Sequence, residues 1–128
     1  MIKLPQVVGL YPCERIDLNM QTGQVSFIGV FHSLHFRTFP SPGTKFTVYA
    51  ALYDGVGEGR MDLLITRLET ERDIYHKRRW YAFPGRGVLT HVDFLVPNLA
   101  FSAPGRYRFR LSFEQRELSQ RLVNIYRG

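Results

Sequence analysis

Apolar and polar residues alternate with a period of two over Gly105 to Phe113, placing Tyr107, Phe109, Leu111 and Phe113 on one side and Arg106, Arg108, Arg110 and Ser112 on the other. That pattern predicts a half-buried strand. Ala103-Pro104-Gly105 ahead of it is a turn, and the Gly-x-Tyr entry has the form of a tyrosine corner, a feature of β-sandwiches. Strands are predicted over Val7 to Tyr11, Gln24 to Arg37, Lys45 to Tyr53, Arg60 to Glu69, Ile74 to Phe83, Val88 to Val96, Gly105 to Phe113 and Leu118 to Tyr126. No segment has convincing helical periodicity. About eight strands with turn signals between them point to an all-β, two-sheet antiparallel sandwich with Greek-key connections.

Within this framework the pattern assigns faces. Phe46, Val48, Ala50 and Leu52 are expected in the core, with Thr47, Tyr49, Ala51 and Tyr53 outward. Val25 to Phe31 is apolar on both sides, as in a central, doubly covered strand, and Gly29 within it suggests a bulge or a close backbone approach. Asn19 to Gly23, Pro40 to Gly43 and Phe83 to Gly87 are turns. Gly55-Val56-Gly57-Glu58-Gly59 has phosphate-loop spacing, but it leads into a strand and carries a glutamate, so a hairpin loop is expected.

At 128 residues, 45% hydrophobic and 14% aromatic, the chain has the size and apolar content of one folded domain spanning 1–128. No apolar run approaches the ~18 residues of a membrane span. Pro5 interrupts the N-terminal segment before an apolar core of signal-peptide length, and Cys13 is the only cysteine, so a reducing, cytoplasmic setting is expected. Of the 17 basic residues 14 are arginines, and the formal net charge is +6, which favours encounters with polyanions.

Four stretches together, Tyr11-Pro12-Cys13-Glu14-Arg15-Ile16-Asp17, Thr22 to Phe31, Phe39-Pro40-Ser41-Pro42 and Ala103 to Phe109, resemble a family of short, uncharacterised bacterial domains. The resemblance implies an immunoglobulin-like sandwich and brings no catalytic residues with it.

Candidate chemistry is sparse. His32 and His35 differ by an odd number, so an unbroken strand would point them to opposite faces, which disfavours a shared metal. His91 and Asp93 share a face and could act as an acid–base pair, but no nucleophile completes them, and Cys13 reads as a small buried apolar group. Tyr75-His76-Lys77-Arg78-Arg79-Trp80-Tyr81 interleaves cations and aromatics as single-strand nucleic-acid binders do, although alternation splits the set, and a charge-protected edge strand is the structural alternative. If Glu114 to Glu117 closes a hairpin, Arg110 faces Arg121, and carboxylates such as Asp93, Glu114 or Glu117 are expected to neutralise them.

The leading expectation is a non-enzymatic protein-interaction or assembly module, without cofactor or metal, that uses a sheet face bearing Tyr49, Tyr53, Trp80, Arg106, Arg108, Arg110 and Arg121 to meet a protein partner or a second copy of itself. Nucleic-acid or other polyanion binding through Lys77, Arg78 and Arg79 together with that arginine face is the alternative. A small hydrolytic or metal enzyme requires two or more of His32, His35, His76, His91, Cys13 and Asp93 to converge.

Overall fold

Gly105 to Phe113 forms a strand with the expected bounds, and Tyr107, Phe109, Leu111 and Phe113 on its inner face are fully buried. It is one of nine strands in the computed structural model, which describes residues 1–128: β1 (Gln6–Leu18), β2 (Val25–Val30), β3 (Ser33–Phe36), β4 (Thr44–Tyr53), β5 (Glu58–Arg67), β6 (Arg72–Ala82), β7 (Leu89–Leu99), β8 (Gly105–Phe113) and β9 (Arg116–Arg127). They form two sheets: sheet I in the order β2-β1-β4-β7 and sheet II in the order β3-β9-β8-β5-β6. No helix long and apolar enough to cross a membrane is present.

The core lies between the sheets. Sheet I contributes Phe46, Val48, Ala50 and Leu52 from β4 and Val92, Phe94 and Val96 from β7, as the alternation requires. Sheet II contributes Met61, Leu63 and Ile65, the inner face of β8, and Val123 and Ile125. Phe46 and Phe109 meet across the interface with ring centroids 5.8 Å apart. The Tyr107 hydroxyl donates to the Ala103 carbonyl at 2.6 Å, completing the corner that turns the chain into β8.

Several expectations are corrected. Gln24 to Arg37 is two strands in different sheets, because the chain leaves sheet I after Val30 and enters sheet II at Ser33. The apolar stretch Val25 to Val30 is an edge strand with Val25 and Val30 exposed, not a central one. Gly29 within it does have the special backbone anticipated, with φ of 67° and room for a Cβ only 3.0 Å from Glu14. β3 pairs in parallel with β9, so the sandwich is not wholly antiparallel. β1 runs well beyond Tyr11: it pairs first with β4 and then with β2, and Pro12 is tolerated near that handover, where its carbonyl accepts from Phe31 N at 3.0 Å.

The glycine-rich segment after Tyr53 crosses between the sheets rather than closing a hairpin. Asp54 anchors that crossing by accepting from Lys3 and from the Gly87 backbone N–H. The β8–β9 hairpin is tighter than expected. Its loop is Glu114-Gln115, both with positive φ (47° and 66°), a conformation for which glycine or asparagine is the usual signal. Glu114 is held there by Arg60, whose backbone N–H and Nε both donate to its carboxylate.

Candidate functional site

The outer face of sheet I carries a row of stacked rings. Tyr11 lies 5.5 Å from Phe27, Phe27 lies 4.6 Å from Tyr49, and Tyr49 stacks on His91 at 5.4 Å. The register explains the row: Tyr11, Tyr49 and Asp93 occupy matching positions on β1, β4 and β7, and His91 lies one step along the same face. Around the rings are exposed Leu89 (63%), Leu95 (52%) and Tyr53 (40%). A depression of about 140 Å³ among Ile16, Leu18, Val25, Tyr49, His91 and Asp93 continues this surface toward the β1–β2 hairpin. Burial, and then the nearby Asp93 carboxylate, push the Tyr49 hydroxyl above its ordinary pKa, so it stays protonated. None of the residues named here is a lysine or arginine, and Arg15 at the rim is paired with Asp17 at 3.2 Å.

The outer face of sheet II is polar. Arg60 is paired with Glu114, Arg78 with Asp62 and Arg106 with Glu69. Asp62 is largely buried and accepts from Arg78 Nε at 2.8 Å while its Oδ1 lies 2.7 Å from His76 Nε2. Arg108 and Arg110 have no carboxylate partner, and the Nε groups of both are shielded from solvent without a hydrogen bond. A shallow hollow of about 360 Å³ beside them is lined by Asp62, Leu64, Asp73, His76, Arg110, Ser112, Gln115 and Glu117.

Burial opposes ionisation of Asp62, but the hydrogen bonds from Arg78 and His76 outweigh it and leave the carboxyl below the ordinary aspartate range. Asp62 therefore takes up its proton at higher pH in the unfolded chain than in the folded one. The unfolded state binds more protons in that window, so stability falls as pH drops below about 4, through the folded value. Asp62→Asn is expected to flatten this part of the pH dependence, measured as urea midpoints across a pH series.

Two arginines close the open sides of the sandwich. Arg121 Nε donates to the Leu10 carbonyl at 3.0 Å with its guanidinium 5.7 Å from the Tyr11 ring. On the opposite side Arg79 donates to the Asp93 carbonyl at 2.8 Å and lies 5.9 Å from the Phe94 ring, while Tyr81 donates to the His91 carbonyl at 3.2 Å.

The expected working face is thereby divided. Tyr49 and Tyr53 are on sheet I, Trp80, Arg106, Arg108 and Arg110 are on the outer face of sheet II, and Arg121 is at the seam between the sheets. Arg110 pairs with Gln120, not Arg121, because the tight turn and a bulge after Leu111 shift the register by one residue. Neither Asp93, Glu114 nor Glu117 forms an ion pair with Arg110 or Arg121; Glu114 is engaged by Arg60 instead. The basic run on β6 is also divided: Lys77 is exposed, Arg78 is held by Asp62 and Arg79 spans to β7.

The catalytic-type residues are similarly dispersed. His91 and Asp93 do share a face, where His91 stacks on Tyr49, whereas His35 stacks on Tyr126 at 5.1 Å and His76 is held by Asp62. His32 lies between β2 and β3, so the unbroken strand assumed for His32 and His35 is absent. Burial pushes the Cys13 thiol up. No group of three His, Cys, Asp or Glu side chains is placed to hold a metal.

Tyr11, Phe27, Leu89 and Leu95 escaped the sequence reading of the site. Leu89 and Leu95 were legible as the outward partners of the core set Val92, Phe94 and Val96; Phe27 was hidden by the positive φ at Gly29, beyond which a simple alternation no longer holds.

Fold and site together define a two-sheet β-sandwich with an aromatic outer face on one sheet and an arginine-bearing face on the other. No protein-family model matches the chain, and no curated protein matches it. Among solved structures, a β-glucosidase from Listeria innocua in complex with isofagomine aligns at 9% identity and a TM-score of 0.45. The alignment covers 95% of this chain, which spans 16% of that one.

Proposed function

We propose that this chain is a non-enzymatic assembly module, an immunoglobulin-like Greek-key sandwich that associates with a second copy of itself through the outer face of sheet I. The parallel pairing of β3 with β9, and the order in which the chain alternates between sheets, support the fold reading. The observation that carries the functional reading is the row of stacked rings Tyr11, Phe27, Tyr49 and His91 on that face, with Leu89 and Leu95 exposed on β7 to either side of His91 and Asp93.

Charge selects the occupant. With a net charge of +6, two copies repel one another in most orientations, and sheet II would bring arginines together. On the ring-bearing surface of sheet I the neighbouring cations are already engaged, Arg15 by Asp17 and Arg121 by the Leu10 carbonyl beside the Tyr11 ring. At the usual strand spacing and rise, four strands by about nine residues give a footprint of roughly 19 Å by 30 Å. That is of the order of the ~800 Å² per partner of a stable interface.

Light scattering during size-exclusion chromatography over a concentration series tests the proposal. The parent protein is expected to run as a dimer, and Leu95→Glu to convert it to monomer. Leu122→Glu, on an equally accessible position of sheet II, should leave the dimer intact. A monomer at every concentration, or dissociation by Leu122→Glu alone, would overturn it.

A further inference from the structure

We infer that β6 is a docking edge for an extended acidic segment of another protein, which adds to sheet II as a sixth strand. This surface is separate from the face assigned to self-association.

The argument begins with the main chain. The Phe83 N–H donates to the Gly57 carbonyl at 2.9 Å, and the β5–β6 register continues from that pair to Ile65 opposite Tyr75. Antiparallel pairs alternate between bonded and non-bonded, so the odd-numbered residues of β6 bond β5. The N–H and C=O groups of His76, Arg78 and Trp80 consequently face away from the sheet, and no side chain bonds to them.

The other edges are not equivalent. On β7 the outward carbonyls of His91 and Asp93 are taken by Tyr81 and Arg79, and on the first half of β1 the Leu10 carbonyl is taken by Arg121. β3 has four residues, and β2 is broken by the positive φ of Gly29. β6, with 11 residues and a single neighbour, is the long edge left open.

Side chains then define the partner. β6 carries four cations: Arg78 is held by Asp62 and Arg79 by the Asp93 carbonyl, whereas Arg72 and Lys77 are exposed without a carboxylate partner, and the one acid on the strand, Asp73, has its carboxylate occupied by the Thr66 hydroxyl. A second copy of β6 laid antiparallel would set these cations against their own kind, which opposes self-pairing. The same charges favour a strand bearing Asp or Glu. Trp80, 63% exposed and adjacent to the free main-chain groups, offers an apolar platform of the type that anchors interfaces. A nucleic acid could meet the charges but could not extend the hydrogen-bonded ladder.

Trp80 is the only tryptophan, so its fluorescence reports directly on this edge. The probe is a peptide of alternating glutamate and valine, compared with the same peptide N-methylated at every second amide, on the side that would face β6. Saturable change in Trp80 emission is expected with the first peptide, and binding at least about tenfold weaker with the second. Lys77→Glu should weaken the acidic peptide about tenfold and admit a lysine–valine peptide in its place. Lack of response to the acidic peptide, equal binding after N-methylation, or a stronger response to a single-stranded oligonucleotide would each overturn the inference.

Discussion

Phe109→Ala is expected to lower the unfolding free energy by about 3–5 kcal/mol, the range for removing a phenylalanine ring from a packed core. Phe109 is fully buried on the inner face of β8, where it meets Phe46 from the opposite sheet, and β8 is flanked by β5 and β9. The surrounding strands are hydrogen-bonded on both sides and cannot readily collapse into the space left behind. Against a total stability of ~5–15 kcal/mol the loss is a large fraction. Urea denaturation should show a lowered midpoint with an unchanged slope. Leu122→Ala, on the neighbouring strand but half exposed, should shift it by no more than about 0.5 kcal/mol. Equal sensitivity at both positions would contradict the assignment of faces.

Tyr107→Phe should cost roughly 1–2 kcal/mol, with almost no change in packed volume. The ring is fully buried and its hydroxyl donates to the Ala103 carbonyl four residues upstream. Phenylalanine retains the edge contact with Phe101 at 5.1 Å and removes only that bond. The Pro104-Gly105 turn then loses its tie to the strand it feeds. A thermal midpoint indistinguishable from the parent would show that the corner hydrogen bond contributes nothing.

These two residues also show what was legible without a structure. Alternation is a strong signal where a strand has one buried and one solvated face, and on that basis the faces of β8 and β4, and the shared face of His91 and Asp93 on β7, are read correctly. The signal fails where both faces are apolar. Val25 to Phe31 read as a central strand, yet it is an edge whose Phe27 completes a ring stack on the outside of the sheet. Local sequence does not distinguish apolar area buried in a core from apolar area displayed on a face.

The hairpin failed for a different reason. Two left-handed residues without glycine or asparagine carry no turn signature, and Glu114 is held by Arg60, a residue 54 positions away. A one-residue error in such a loop transfers every later side chain to the opposite face. That is why Arg121 was placed beside Arg110, when it instead reaches across to β1.

The two seam arginines have a consequence for behaviour in acid. Arg121 and Arg79 close the sandwich by donating to peptide carbonyls, groups with no titration in the accessible range, whereas Arg60, Arg78 and Arg106 rely on carboxylates. Protonation therefore loosens the broad polar flank of sheet II while the fastenings along both rims keep their acceptors. The Arg78–Asp62 pair lies on β6, the open edge of sheet II, so acid loosens the strand whose main-chain groups are freest to recruit another chain, while the edges of β1 and β7 stay fastened.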